Sequence, residues 1–151
     1  MSVSSAHKLV FGRLYHGVWN DRKLEYLDQV FAKTHALSAP IMAGAAVGPA
    51  AYRRHIEGFL KGFPDLKFTV NDTISEKDKL VVDWTITGTH KGEFLGIPAT
   101  NRKVSISGIT INQIAEGKII ESNAIWDGLN LLRQLGAAPS PNSDVQAATG
   151  R

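Results

Sequence analysis

The sequence predicts an α+β fold in which N-terminal helices pack on an antiparallel sheet, and three observations carry this. Apolar residues recur at three- and four-residue steps up to about residue 63. Beyond Pro64, four stretches rich in β-branched and aromatic residues follow one another, each bounded by Asp, Gly, Pro or Asn. Helical and strand-like segments do not alternate, so a parallel sheet built from βαβ units is not the expected architecture.

Over residues 5–19, Leu9, Val10, Leu14, Val18 and Trp19 lie on one helical face, with Ser4 or Ser5 as the cap and Asn20-Asp21 as the stop. A second helix presents Leu24, Leu27, Val30 and Phe31. The Ala/Gly/Pro-rich residues 36–48 read as a loop, either a plain connection or a cover over a pocket. This loop has no Gly-Lys-Ser/Thr ending and is therefore no phosphate loop. Pro49 suits the first turn of a third helix, where its missing N–H is harmless. Tyr52, Ile56, Phe59, Leu60 and Phe63 face inward on that helix, and Pro64 stops it.

Strands are expected over 66–74, 79–88, 102–114 and 118–126. Val82, Trp84 and Ile86 alternate with Asp83, Thr85 and Thr87, giving a sheet with two different faces. Ala115-Glu116-Gly117 marks a tight hairpin. A short helix over 129–135 ends at Gly136. The expected organisation is one domain over 1–138 and a disordered tail over 139–151, the Ala/Pro/Ser/Asn-rich composition setting in at Ala137.

Composition narrows the function classes. Hydrophobic residues make up 43% of the 151, enough for an ordinary core. The net charge of +3 comes from scattered Lys and Arg, without the concentrated basic face that nucleic acid requires. With no cysteine, disulfides, thiol catalysis and cysteine-bound zinc are excluded, and a cytoplasmic setting is expected. His7, His16, His35, His55 and His90 form no metal-ligand spacing, so no metal is expected. The longest uncharged stretch, 36–52, is broken by Pro and Gly, and no membrane span is expected.

Several segments, read in order, carry a family resemblance. They are Tyr15-His16-Gly17-Val18-Trp19-Asn20, Phe63-Pro64-Asp65-Leu66, the run Gly88-Thr89-His90-Lys91-Gly92-Glu93-Phe94-Leu95-Gly96-Ile97-Pro98, Gly117-Lys118-Ile119-Ile120-Glu121, Trp126-Asp127 and Leu131-Leu132-Arg133-Gln134-Leu135-Gly136. Together they resemble the SnoaL-like polyketide cyclase, or ester cyclase, family over roughly residues 8–138. The resemblance implies a curved sheet folded into a cone of the ketosteroid isomerase-like type, usually dimeric. It also implies a cofactor-free cyclase, isomerase or hydrolase of secondary metabolism acting on an apolar carbonyl compound, in which an aspartate at the cavity wall is the general acid/base. Asp127 is the matching position. The alternative is a non-catalytic small-molecule-binding protein or dimeric scaffold of the same fold. Asn123 and Ala124 stand where many relatives carry Trp-Asp, Ala99 and Asn101 where Pro and Gly are common, and Gln113 near an expected histidine.

Asp127 has two readings. A carboxylate beside an apolar wall holds its proton more readily, as proton shuttling requires; an Asp before a helix also caps it. Asn123 and Asp127 share a strand face. A three-residue hairpin loop brings Gln113, Ile111 and Ile109 onto that face, whereas a two-residue loop brings Asn112 and Thr110. The first makes the face more apolar and is the expected one, with Gln113 and Asn123 holding a substrate carbonyl. His35 lies at the expected cavity mouth. Trp19, Tyr15, Phe59 and Trp84 are the expected aromatic wall, each with core packing as its alternative. The outer face carrying Asp83, Thr85 and Thr87 is the expected meeting surface of a homodimer.

Overall fold

The computed structural model describes residues 3–40 and 45–138. Helix α1 (Val3–Phe11) continues into a π-helical stretch, Gly12–Val18. A 3₁₀ turn, Leu24–Tyr26, leads into α2 (Leu27–Val30). There follow β1 (Phe31–Ser38), β2 (Ala46–Val47), α3 (Pro49–Gly62), β3 (Lys67–Glu76), β4 (Lys79–Thr89), β5 (Lys103–Ala115), β6 (Lys118–Trp126) and α4 (Gly128–Gln134). The strands form one curved, unclosed six-stranded sheet in the order β2-β1-β6-β5-β4-β3. Every neighbouring pair is antiparallel except β1 and β6, which run parallel.

The expected α+β fold is therefore observed, with one correction. The second helix ends at Val30, and Phe31 opens a strand that runs into the stretch read as loop. Pairing along β6 (Phe31 with Ile119, Ala36 with Glu121) holds this segment extended. Its register shifts between Phe31 and Ala36, which breaks the period-two alternation that announces a strand. Helix α3 starts and stops where its prolines place it, after Gly48 at φ 89°. Residues 41–44 of the expected loop, and the expected tail over 139–151, lie outside the described residues. Ala137 belongs to the body: its N–H bonds Leu132 O at 2.8 Å and, with Gly136 at φ 77°, closes the end of α4.

The hairpin between β5 and β6 decides which residues enter the interior. Glu116 and Gly117 both have positive φ (52° and 76°), the geometry of a two-residue turn. The register then shifts between Gln113 and Ile114, so that Gln113 pairs with Glu121, Ile111 with Asn123 and Ile109 with Ile125. Turn and shift together restore the face parity of a three-residue loop, though not its register. Gln113, Ile111, Ile109, Asn123 and Ile125 do share a face, but it is the outer one.

Candidate functional site

The concave side of the sheet closes over α1, its π-helical extension and α3, and aromatic rings fill the space between. Trp19 packs against Tyr52, Phe59 and Phe68; Tyr15 and Trp84 also pack against Phe68. Phe59 reaches Trp126 and Phe94. Four of the residues expected as pocket wall, Tyr15, Trp19, Phe59 and Trp84, thus lie in this interior, and all are buried. Gly108 lets Trp84 and Trp126 close together: a β-carbon there would stand 2.5 Å from the Trp84 ring and 2.7 Å from the Trp126 Cβ.

Polar side chains run through the middle of this aromatic interior. His35 (β1), Ser122 (β6) and Asn112 (β5) are 0%, 2% and 0% exposed. Asn112 Nδ2 donates to Leu80 O at 3.3 Å and to Tyr15 Oη at 3.0 Å. Leu80 O can only accept, so the amide nitrogen must face it and the amide oxygen must face Ser122. Ser122 Oγ donates to Asn112 Oδ1 at 2.8 Å. Its proton committed, Ser122 accepts from His35 Nε2 at 2.9 Å. The imidazole is therefore the Nε2–H tautomer and Nδ1 carries a lone pair. That lone pair is buried without a hydrogen-bond partner among the described residues.

Burial lowers the His35 pKa from 6.5 to about 4, so the ring is neutral at pH 7. Burial likewise raises the Tyr15 hydroxyl to about 12, against the opposing hydrogen bonds of Asn112 and Thr110. Tyr52 is pushed up further, again chiefly by burial. Its oxygen accepts from Trp19 Nε1 at 3.1 Å, a bond that does not use its own O–H. Trp84 Nε1 donates to Thr110 Oγ1 at 2.9 Å.

The other expected site residues lie elsewhere. Gln113 is on the outer face, and Asn123, also outer, donates to Glu121 Oε1 at 3.0 Å. Neither can hold a carbonyl in the interior; Asn112 and Ser122 take the inner places instead. Asp127 is exposed, and its Oδ1 accepts from Asn130 N at 2.9 Å. It is the N-cap of α4, and its carboxylate is directed at the helix backbone rather than into the interior. The inner-face position at 124 holds Ala124 opposite Thr110.

His7, His90 and His55 serve packing and loop closure. His7 bonds Ser75 across α1 and β3. His90 accepts from Thr100 N at 3.2 Å through Nδ1 and pins the loop that follows β4. His55 sits among Trp19, Tyr52 and Phe59, and burial lowers its pKa to about 4. Among the described residues, no three His, Asp or Glu side chains converge as metal ligands would, and no helix is long and apolar enough to cross a membrane.

Comparison with known proteins places this geometry. Residues 10–135 match the family model for SnoaL-like polyketide cyclases. The structure superposes on a protein from Jannaschia sp. CCS1 assigned to the same cyclases, with TM-score 0.83 and 23% identity over 92% of this chain and 97% of that one. TsrD from Streptomyces laurentii aligns with TM-score 0.80 and 27% identity over 91% of this chain and all (100%) of the other. AclR from Streptomyces galilaeus, assigned as a hydroxylase, gives TM-score 0.78 and 27% identity, with coverage of 91% and 100%. No functionally curated protein matches the chain.

Proposed function

The chain belongs to the SnoaL-like polyketide cyclase family, and from that premise we propose that it is a cofactor-free enzyme that cyclises or isomerises an apolar, carbonyl-bearing metabolite by acid/base catalysis in the interior of the cone. The observation that supports this reading is the run of polar side chains from Tyr15 through Asn112 and Ser122 to His35. Burying polar groups costs free energy that their mutual hydrogen bonds only offset, and an apolar set of the same shape packs as stably. The run therefore calls for a use other than holding the core together, and it ends on a free basic nitrogen among aromatic rings.

A second reading, a non-catalytic binding protein of the same fold, is favoured by one observation: among the described residues no carboxylate is buried. Proton exchange separates the two. With 2-tetralone as probe in D₂O, catalysed proton removal beside the carbonyl should raise deuterium uptake roughly 100-fold over buffer, read by mass spectrometry. Asp127→Asn should keep that rate, because asparagine caps a helix nearly as well as aspartate. Binding of the ketone without exchange establishes the second reading. Exchange lost in a folded Asp127→Asn returns the proton shuttle to that carboxylate.

The same proposal includes a homodimer formed through the outer sheet face. Ile109 and Ile125, cross-strand partners there, are 45% and 66% exposed, and Ile74, Val81 and Ile111 extend the patch along one row of the sheet. Sedimentation should give a dimer at micromolar concentration and a monomer for the Ile109→Lys/Ile125→Lys variant. A wild-type monomer overturns the dimer.

A further inference from the structure

Resting on that reading of the interior, we infer that His35 Nδ1 is the base of this site, that the Tyr52 hydroxyl is the donor to the substrate carbonyl, and that Ser122 and Asn112 are positioning residues that hold His35 in the one tautomer able to act. Two unmet hydrogen-bonding capacities point here. One is the buried lone pair of His35 Nδ1, which has no partner among the described residues. The other is the Tyr52 O–H, not used in the bond from Trp19. They belong to one ring cluster: the His35 and Tyr52 centroids are 5.9 Å apart at 69°, and Phe31 packs on both at 4.1 and 4.4 Å. A free acceptor and a free donor so close match a ligand that presents an acidic hydrogen beside a carbonyl oxygen.

The tautomer follows from direction alone. Leu80 O orients the Asn112 amide, the amide oxygen takes the Ser122 proton, and Ser122 is left as an acceptor for Nε2–H. In the step inferred, the C–H bond beside the carbonyl breaks and its proton passes to Nδ1. The electron pair moves onto the carbonyl oxygen, which accepts from Tyr52. The imidazolium keeps Nε2–H on Ser122 and returns the Nδ1 proton to another carbon of the same skeleton, so nothing is oxidised or reduced. The low basicity of His35 in the free protein fits this scheme. Burial without a nearby anion disfavours the cation, and the enolate supplies that anion as it forms.

The test combines nitrogen-15 NMR of the free protein with exchange of 2-tetralone in D₂O. In free wild type, His35 should show a pyridine-type Nδ1 and a protonated Nε2; Ser122→Ala should turn this into a mixture of tautomers. His35→Gln keeps a donor toward Ser122, but its amide oxygen is no base and cannot take the proton in place of Nδ1. It should bind the ketone and lose exchange roughly 100-fold or more. Tyr52→Phe should lose exchange with the tautomer unchanged. A proton on Nδ1 in the free protein overturns the inference whatever the variants do. Exchange undiminished in folded His35→Gln overturns it while leaving the proposed function standing. Absence of exchange in wild type overturns both.

Discussion

Asn112→Leu is expected to destabilise the protein by about 3 kcal/mol, although leucine has nearly the shape of the side chain it replaces. Asn112 is 0% exposed and makes three hydrogen bonds: its amide serves Tyr15 Oη and Leu80 O, and its oxygen takes the Ser122 proton. Leucine keeps the packing and strands these partners. A buried group left unpaired costs about 1–3 kcal/mol, and the Ser122 proton is the worst placed because Ser122 is itself 2% exposed. Urea unfolding should show a lower midpoint with an unchanged slope. A double-mutant cycle identifies the cause. Ser122→Ala removes the stranded hydroxyl, so the double variant should lose about 1–2 kcal/mol less than the two single variants together. Strict additivity would show that the Ser122–Asn112 bond contributes nothing.

Much of the fold is legible in the sequence because it is written in local rules. Pro49 and Pro64 bound α3, and Val82, Trp84 and Ile86 turn inward on β4 by simple alternation. Tyr15, Trp19, Phe59 and Trp84 lie inside because large rings must be covered and a helix face or strand parity says which way each points. The polar centre of the site is not legible in this way. Its identity depends on whether Asn112 or Gln113 faces inward, and that depends on a two-residue turn and a register shift close beside it. Choosing the more apolar face as the inner one fails here, because Ile109, Ile111 and Ile125 sit on the outer surface while Thr110, Asn112 and Ser122 are buried. His35 is legible as a candidate at the cavity mouth, but the strand that carries it is not: the pairing that makes its segment a strand comes from β6, about 85 residues further along the chain. Asp127 shows the converse, a residue whose type matches a catalytic pattern and whose local role, capping α4, uses the same oxygen.

The run from Gly88 to Pro98 also gains a physical account, and it yields the other large effect. Lys91 N and Gly92 N both donate to Gly62 O, at 3.0 and 3.2 Å, so the loop lies directly on the last turn of α3. Phe94 then reaches Phe59 and Phe63, its ring 5.1 and 5.2 Å from theirs, and shields one end of the aromatic interior. Only a glycine at 92 allows this approach: a β-carbon there would overlap the Lys61 carbonyl oxygen and stand 3.0 Å from the carbonyl carbon. Those atoms belong to helix backbone and cannot swing aside as a side-chain tip would. The loop must lift instead, drawing Phe94 off its partners. Gly92→Ala is therefore expected to cost about 3 kcal/mol, the upper part of the usual overpacking range, and to lower the melting temperature by roughly 6–12 °C. Gly58→Ala is the matched control. It lies exposed on the same helix with nothing within 4 Å of the added carbon, and it should stabilise the protein by about 1 kcal/mol through helix propensity alone. Equal melting temperatures for the two variants would mean that the loop does not rest on α3.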